Sequence, residues 1–145
     1  MSKAKVLFLC TGNSARSQIA EALLRKYAGD KFDVYSAGLE PKSINPYTKK
    51  VMQEIGITLE GQYAKHVHEY MGKLNFGYLI TVCSGAEEKC PATFPGVSHR
   101  LHWSFEDPAA FIGSDEETLQ KFREVRDQID QRIKNWLAEY IQTDT

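Results

Sequence analysis

The chain has 145 residues, a length at which one domain can bury a hydrophobic core without metals or disulfides. Its formal net charge is -1 and 26% of its residues are charged, so nothing indicates nucleic-acid binding or a polybasic membrane anchor. The N-terminus lacks the cleavage site of a secretory signal, and no stretch approaches the roughly 20 apolar residues that span a bilayer. We therefore expect one cytoplasmic domain over residues 1–145, monomeric and without a membrane or nucleic-acid partner.

Segments typical of strands and helices alternate along the whole chain, which predicts an α/β domain with a mostly parallel sheet. In chain order, the predicted elements are a strand at 6–10, a helix at 17–28, a strand at 32–37 and a helix at 46–55 that Asn45 caps. Strands at 78–83 and 98–103 follow, and then a long amphipathic helix that Ser114 or Asp115 caps. Ligands of open parallel sheets bind beyond the carboxyl ends of the strands. Cys10, Cys83 and the acidic loop after Trp103 are therefore expected to converge at one edge.

The first strand and the first helix are joined by a short loop between Cys10 and Arg16. Its residues are small or polar: Thr11, Gly12, Asn13, Ser14 and Ala15. Their backbone N–H groups can turn inward around one anion, to which the positive end of the helix adds. The same field would stabilise a thiolate, so a lowered pKa is expected for Cys10. Arg16 can grip two oxygens with its planar fork, and Ser17 can hydrogen-bond the sulfur.

Each of these residues also has an ordinary structural interpretation. Cys10 could be a buried strand-end residue, with Arg16 on the surface. Cys83 could be a small hydrophobic residue and Cys90 a loop thiol without a role. Asp107 could simply be a turn residue before a proline. The strand and helix that flank the loop favour the functional interpretation, whereas the glycine-rich nucleotide-binding patterns are absent from the sequence.

The segments CTGNSARSQIAE and EDP resemble the low-molecular-weight protein tyrosine phosphatase family, and more closely its thioredoxin-coupled arsenate reductase branch. The segments YSAG, NPYTKKVMQEIGI, VCSGAEEKCP and HWSFEDPA extend the resemblance over nearly the whole chain. It implies a four-stranded parallel sheet with helices on both faces, and an oxyanion bound by residues 11–17. It also implies that Cys10 is the nucleophile and that Asp107 is the acid that protonates a leaving oxygen.

Two later cysteines distinguish the reductase branch from the phosphatases. Cys83 and Cys90 are separated by the six residues SGAEEK, a segment that could unwind and let the two sulfurs meet. The resemblance implies that Cys10 attacks arsenate, that Cys83 attacks Cys10 to release arsenite, and that Cys90 then attacks Cys83. Thioredoxin or another dithiol would reduce the resulting disulfide. Phosphate or sulfate would compete with arsenate for the loop.

Some positions depart from the family pattern. Ala15 stands where a second loop cysteine is common. Ala109 stands where the tyrosine phosphatases usually have an aromatic residue, which favours a small inorganic oxyanion. Some reductases bind potassium near the loop, and the matching residues here are Asn13, Glu21 and Ser36. Lys65 stands where those reductases have an aspartate, and its ammonium would oppose a cation. We therefore expect potassium independence, with no metal or other cofactor.

Other functions stay open from the sequence alone. The chain could be a phosphatase that hydrolyses phosphate monoesters through a phosphocysteine at Cys10. It could also be a thiol redox sensor that reports oxidation through Cys83 and Cys90. A zinc site drawn from these two cysteines with His99 and His102 has spacings that miss the usual structural-zinc patterns.

Overall fold

A computed structural model describes residues 3–83 and 94–143 of the chain. Its four strands are β1 (Ala4–Cys10), β2 (Phe32–Gly38), β3 (Phe76–Thr81) and β4 (Val97–His102). All pair in parallel, in the order β2-β1-β3-β4. The helices of the described part are α1 (Arg16–Ala28), α2 (Pro46–Glu54) and α3 (Asp115–Thr143), with 3₁₀ turns at Val67–Glu69 and Pro108–Ala110. The predicted α/β fold with a four-stranded parallel sheet is confirmed.

The central strand β1 explains why the sequence begins with a continuous apolar run. It lies between β2 and β3, and Val6, Leu7, Phe8 and Leu9 have no exposed surface. A strand in this position is covered by neighbours at both edges and on both faces, so every side chain must be apolar. The core of the domain is therefore built around β1.

Both faces of the sheet are covered by aromatic contacts. Trp136 of α3 packs against Phe32 and Tyr78, with ring centroids 5.4 and 5.1 Å apart. Tyr35 lies three residues after Phe32 in β2 and so points to the opposite face. There it packs against Tyr70, beside the 3₁₀ turn at Val67–Glu69, at 5.1 Å. Helical elements thus cover the sheet from both sides.

The predicted helix caps are present at α2 and α3. Asn45 accepts a hydrogen bond from the Tyr47 N–H at 2.9 Å, directly before the proline that opens α2. At α3, the Ser114 hydroxyl accepts from the Glu117 N–H, and the Glu117 carboxylate accepts from the Ser114 N–H, both at 3.1 Å. This reciprocal pair is a capping box. Ser114, one of the two predicted candidates, is therefore the cap of α3.

The boundaries predicted for the third strand were wrong by two residues at each end. β3 begins at Phe76 and ends at Thr81, so Cys83 lies beyond the strand rather than at its last position. Strand pairing stops because β4 ends opposite Thr81, although the Val82 N–H still donates to the Leu9 carbonyl at 2.9 Å. Cys83 nevertheless stays at the carboxyl edge where β1 ends. Within the described ranges, no helix is long and apolar enough to cross a membrane.

Candidate active site

The loop after β1 is held in place by the segment that follows β2. The hydrogen bonds run from the backbone N–H groups of Leu39, Glu40, Lys42 and Asn45 to the carbonyl oxygens of Cys10, Thr11, Gly12 and Ser14, at 3.2, 2.8, 2.8 and 3.1 Å. Gly38 permits this close approach, because a Cβ atom there would lie 2.7 Å from the Thr11 carbonyl oxygen. The loop is therefore fixed along most of its length before any ligand binds.

The Cys10 thiol lies at the base of this loop and is only 3% exposed. The Ser17 hydroxyl is hydrogen-bonded to its sulfur at 2.8 Å, and the Asn13 N–H donates to the sulfur at 3.1 Å. Asn13 has a left-handed backbone with a φ of 48°, a conformation that a short amide side chain tolerates.

Burial raises the pKa of the Cys10 thiol above its usual range. The hydrogen bonds from Ser17 and Asn13 lower this pKa, whereas the nearby Cys83 raises it further. The expectation of a lowered pKa from the sequence was therefore wrong, because removal of the sulfur from water outweighs the hydrogen bonds that stabilise the thiolate.

Ser17→Ala is expected to lower kcat/KM of any reaction that depends on the Cys10 thiolate by about tenfold at neutral pH. The pH profile of kcat/KM is expected to shift to higher pH. The thiolate is the reactive form, so activity is present above the Cys10 pKa and is lost as pH falls through it. Removal of the Ser17 hydroxyl takes away a group that lowers this pKa. The pH dependence of kcat/KM and of Cys10 alkylation by iodoacetamide measures the shift. Ser98→Ala is the control, because Ser98 is exposed on β4 and does not line the cavity over the loop. An equal shift in both variants would contradict the assignment.

A cavity of about 290 Å³ opens over the loop at the carboxyl edge of the sheet. Its lining comprises Cys10, Thr11, Gly12, Ser14, Ala15 and Arg16 from the loop, together with Lys42, Asp107 and Ala109. Asn13 and Ser17, also predicted to bind the oxyanion, do not line the cavity. They are buried behind the loop, where they contact the Cys10 sulfur.

Arg16 and Asp107 meet across the cavity although they are far apart in sequence. The Arg16 Nη2 lies 3.6 Å from the Asp107 Oδ2, and the Arg16 Nη1 donates to the Phe105 carbonyl at 3.1 Å. Asp107 also accepts a hydrogen bond from the Ala109 N–H at 3.0 Å, which fixes its carboxylate at the start of a 3₁₀ turn. Glu106 instead pairs with Lys121 at 3.2 Å. Asp107 is therefore the better placed of the two acids.

Cys83 is the second thiol of the described site. It is 4% exposed, and its sulfur lies within hydrogen-bond range of the Thr11 hydroxyl, at 3.5 Å. Thr11 directly follows Cys10, so the contact brings a second buried thiol to the loop that holds Cys10. Cys90, the third predicted thiol, lies outside the described residues.

The two histidines of the alternative zinc site occupy different faces of β4. His99 stacks on Tyr78 at 5.1 Å, and the His102 Nδ1 lies 2.8 Å from the Thr81 hydroxyl. Side chains three positions apart on a strand point to opposite faces, which disfavours a shared metal. Among residues 3–83 and 94–143, no group of three metal-ligating side chains lies together.

A buried polar network supports the loop from behind. The Asn13 amide donates to the hydroxyls of Ser17 and Ser36, at 2.8 and 3.0 Å. Ser36 in turn donates to the Glu21 carboxylate. Lys65 is 4% exposed, donates to the Tyr63 carbonyl at 2.7 Å and places its Nζ 3.9 Å from the same carboxylate. Burial lowers the pKa of Lys65, and the Glu21 charge opposes that shift.

We expect potassium to change neither the melting temperature nor the activity by more than sodium does at equal ionic strength. The Lys65 ammonium already lies beside Glu21, and it would repel a second cation there. Thermal unfolding and steady-state turnover in matched potassium and sodium salts test this. A rise specific to potassium would contradict it.

Lys42 lines the cavity but was not predicted from the sequence to do so. It follows β2 by four residues, so the parallel topology places it at the same edge as Cys10. A weak signal was therefore present, but the pairing of residues 39–45 with the loop could not be inferred from local patterns.

The geometry of this site indicates the class of protein to which the chain belongs. A buried cysteine under a loop of small residues, followed by an arginine that opens a helix, is typical of proteins that carry out nucleophilic chemistry on an oxyanion. The model of the family described as low molecular weight phosphotyrosine protein phosphatase matches residues 5–145, and the chain belongs to this family. The family predicted from the sequence is thus confirmed.

Three proteins similar to this chain are named for arsenate reduction. An arsenate reductase from Halalkalibacterium halodurans is 47% identical over 137 residues, which cover 94% of this chain and 96% of the relative. The solved structure of an arsenate reductase in the phosphate binding state superimposes with a TM-score of 0.78, at 31% identity, covering 94% of this chain and 98% of the other. A thioredoxin-dependent arsenate reductase from Corynebacterium glutamicum gives 0.71 at 33% identity, covering 99% of this chain and 64% of the other.

Proposed function

We propose that the chain reduces arsenate to arsenite through a relay of Cys10, Cys83 and Cys90, with thioredoxin or a similar dithiol as the reductant. The observation that supports this best is the buried Cys83 thiol at the Thr11 hydroxyl, beside the nucleophile's loop. Phosphate-ester hydrolysis needs one thiol, so a second buried thiol at the site has no role in it. Reduction of arsenate needs two thiols, because arsenic accepts an electron pair.

In the first step, the Cys10 thiolate attacks the arsenic atom of arsenate held in the loop. Arg16 grips two oxygens, and the loop N–H groups and the α1 N-terminus stabilise the negative charge. A sulfur–arsenic bond forms as an arsenic–oxygen bond breaks. The departing oxygen takes protons and leaves as water, and Asp107, which lines the cavity, supplies one of them.

In the second step, the Cys83 sulfur attacks the Cys10 sulfur. A disulfide forms, the sulfur–arsenic bond breaks, and its electron pair stays on arsenic, which leaves as arsenite. Cys90 then attacks Cys83, so that Cys10 is released as a thiolate and a Cys83–Cys90 disulfide remains. An external dithiol reduces that disulfide by the same exchange chemistry, at the expense of its own oxidation.

The curated relative and the solved structures named arsenate reductase support this reaction. The thioredoxin-dependent relative supports the choice of reductant. Phosphate and sulfate share the tetrahedral shape of arsenate, so we expect both to compete for the cavity. The relay uses three thiols of one chain, which makes a monomer sufficient. It also requires a compartment that keeps thiols reduced, such as the cytoplasm.

A phosphatase activity is the second candidate, because the cavity holds the nucleophile, the arginine and the acid that ester hydrolysis needs. Ala109 forms its wall where an aromatic residue would stack on a phosphotyrosine ring. We therefore expect weak hydrolysis of activated esters beside the main reaction.

The test is arsenate-dependent oxidation of reduced thioredoxin, coupled to NADPH consumption by thioredoxin reductase, with arsenite quantified as the product. p-Nitrophenyl phosphate hydrolysis is measured on the same preparation. We expect stoichiometric arsenite formation and slow ester hydrolysis. Ester hydrolysis without thiol oxidation would support the phosphatase instead. Disulfide formation without arsenite would support the thiol sensor.

A further inference from the structure

Lys42 lines the cavity, and the steps proposed above assign it no task. Its side chain is exposed, and it forms no ion pair within the part of the chain that the structure describes. Arg16, the other cation of the cavity wall, is already paired with Asp107 at 3.6 Å. Among the described residues, the Lys42 ammonium has no ion-pair partner and can therefore contact an anion bound in the cavity.

The position of Lys42 is fixed by its backbone. Its N–H donates to the Gly12 carbonyl at 2.8 Å, within the set of hydrogen bonds that ties residues 39–45 to the loop. The preceding Pro41 further restricts the chain. A Cβ atom on Gly12 would lie 3.8 and 3.9 Å from the Cδ and Cγ of Lys42, so the aliphatic stem lies over the glycine. The backbone and the aliphatic stem of Lys42 thus lie against the loop.

The charges of the site explain why a second cation is useful. A doubly charged oxyanion is brought next to a sulfur that reacts as an anion. Against these charges stand the Arg16 guanidinium and about half a positive charge at the N-terminus of α1. A lysine at the rim brings the occupied site closer to neutrality.

We propose that Lys42 is a binding residue that contacts an outward-facing oxygen of the bound oxyanion and favours dianionic tetrahedral anions. For arsenate, this inference rests on the proposed function. For phosphate it does not, because binding of phosphate requires no turnover. Lys42 lines the cavity beside Gly12 and adds no chemical step.

Calorimetric titration of the reduced full-length protein with inorganic phosphate tests the proposal. We expect Lys42→Gln to weaken phosphate binding about fivefold to tenfold and to reduce its dependence on ionic strength. Lys42→Arg should keep the affinity within about twofold. Lys49→Gln is the matched control, because it removes the same charge from an exposed position of α2 outside this cavity. In arsenate turnover, KM should rise by the same factor while kcat stays within about twofold.

Equal phosphate affinity in Lys42→Gln and Lys49→Gln would overturn the proposal, whether or not the protein reduces arsenate. A fall in kcat at unchanged KM would also overturn it, because that result assigns Lys42 to the chemical step. If the protein shows no arsenate turnover but phosphate binding depends on Lys42, the proposed function fails and the inference stands. Thermal unfolding of each variant excludes loss of fold as the cause.

Discussion

Cys83→Ser is expected to reduce steady-state arsenate turnover by at least about a thousandfold while p-nitrophenyl phosphate hydrolysis stays within about threefold of wild type. The cause is the missing sulfur at the Thr11 hydroxyl. Without it, nothing displaces arsenic from Cys10 and no electron pair reaches the metalloid. Ester hydrolysis needs only water to release the phosphorylated Cys10, so it survives. Parallel kinetics with the two substrates measure the difference.

Three further variants make this result specific. Cys10→Ser should lose both activities, because it removes the nucleophile that both reactions share. Cys83→Ala controls for the buried hydroxyl of the serine variant, since Cys83 is almost fully buried. Cys90→Ser should block multiple turnovers but allow one arsenite per protein, with a Cys10–Cys83 disulfide as the end state. Sustained arsenate turnover in Cys83→Ser would exclude the relay.

The first strand, the loop and the first helix could be predicted from the sequence because they follow one another directly along the chain. The continuous apolar run requires a central strand, and Cys10 to Arg16 follow it without interruption. Asp107 was reachable only through the resemblance, since EDP has no pattern of its own. The contact between Cys83 and Thr11 was predictable as a shared edge of the sheet, but not as a distance.

The features of the site that could not be predicted from the sequence depend on contacts between distant segments. Lys42 lines the cavity because the backbone of residues 39–45 hydrogen-bonds to the loop. The hydrophobic periodicity of the sequence does not predict these hydrogen bonds. The direction of the Cys10 pKa shift was predicted wrongly because the sequence shows the nearby cation and helix end, but not the burial of the thiol. The Arg16 side chain also contacts the Phe105 carbonyl and the Asp107 carboxylate, and sequence spacing cannot reveal either contact.

Arg16→Lys should lower kcat/KM for arsenate by about a hundredfold to a thousandfold, although the positive charge is kept. The Arg16 guanidinium spans the cavity, with one nitrogen on the Phe105 carbonyl and another 3.6 Å from Asp107. The lysine ammonium has one nitrogen, whereas the planar guanidinium presents several. It therefore cannot hold two oxygens of the oxyanion and also contact the loop that contains Phe105 and Asp107. The loss should appear in both KM and kcat, and p-nitrophenyl phosphate hydrolysis should fall in parallel.

Arg123→Lys provides the matched control for this substitution. Arg123 forks onto the Glu54 carboxylate with contacts of 3.0 and 2.8 Å, but it joins α3 to the end of α2 and does not line the cavity. The same chemical change there should leave the kinetics unaltered. If both variants keep wild-type kcat/KM, the bidentate role of Arg16 is excluded. If only Arg16→Lys is impaired, the requirement is for two nitrogens at this position, because charge alone is present in every variant compared.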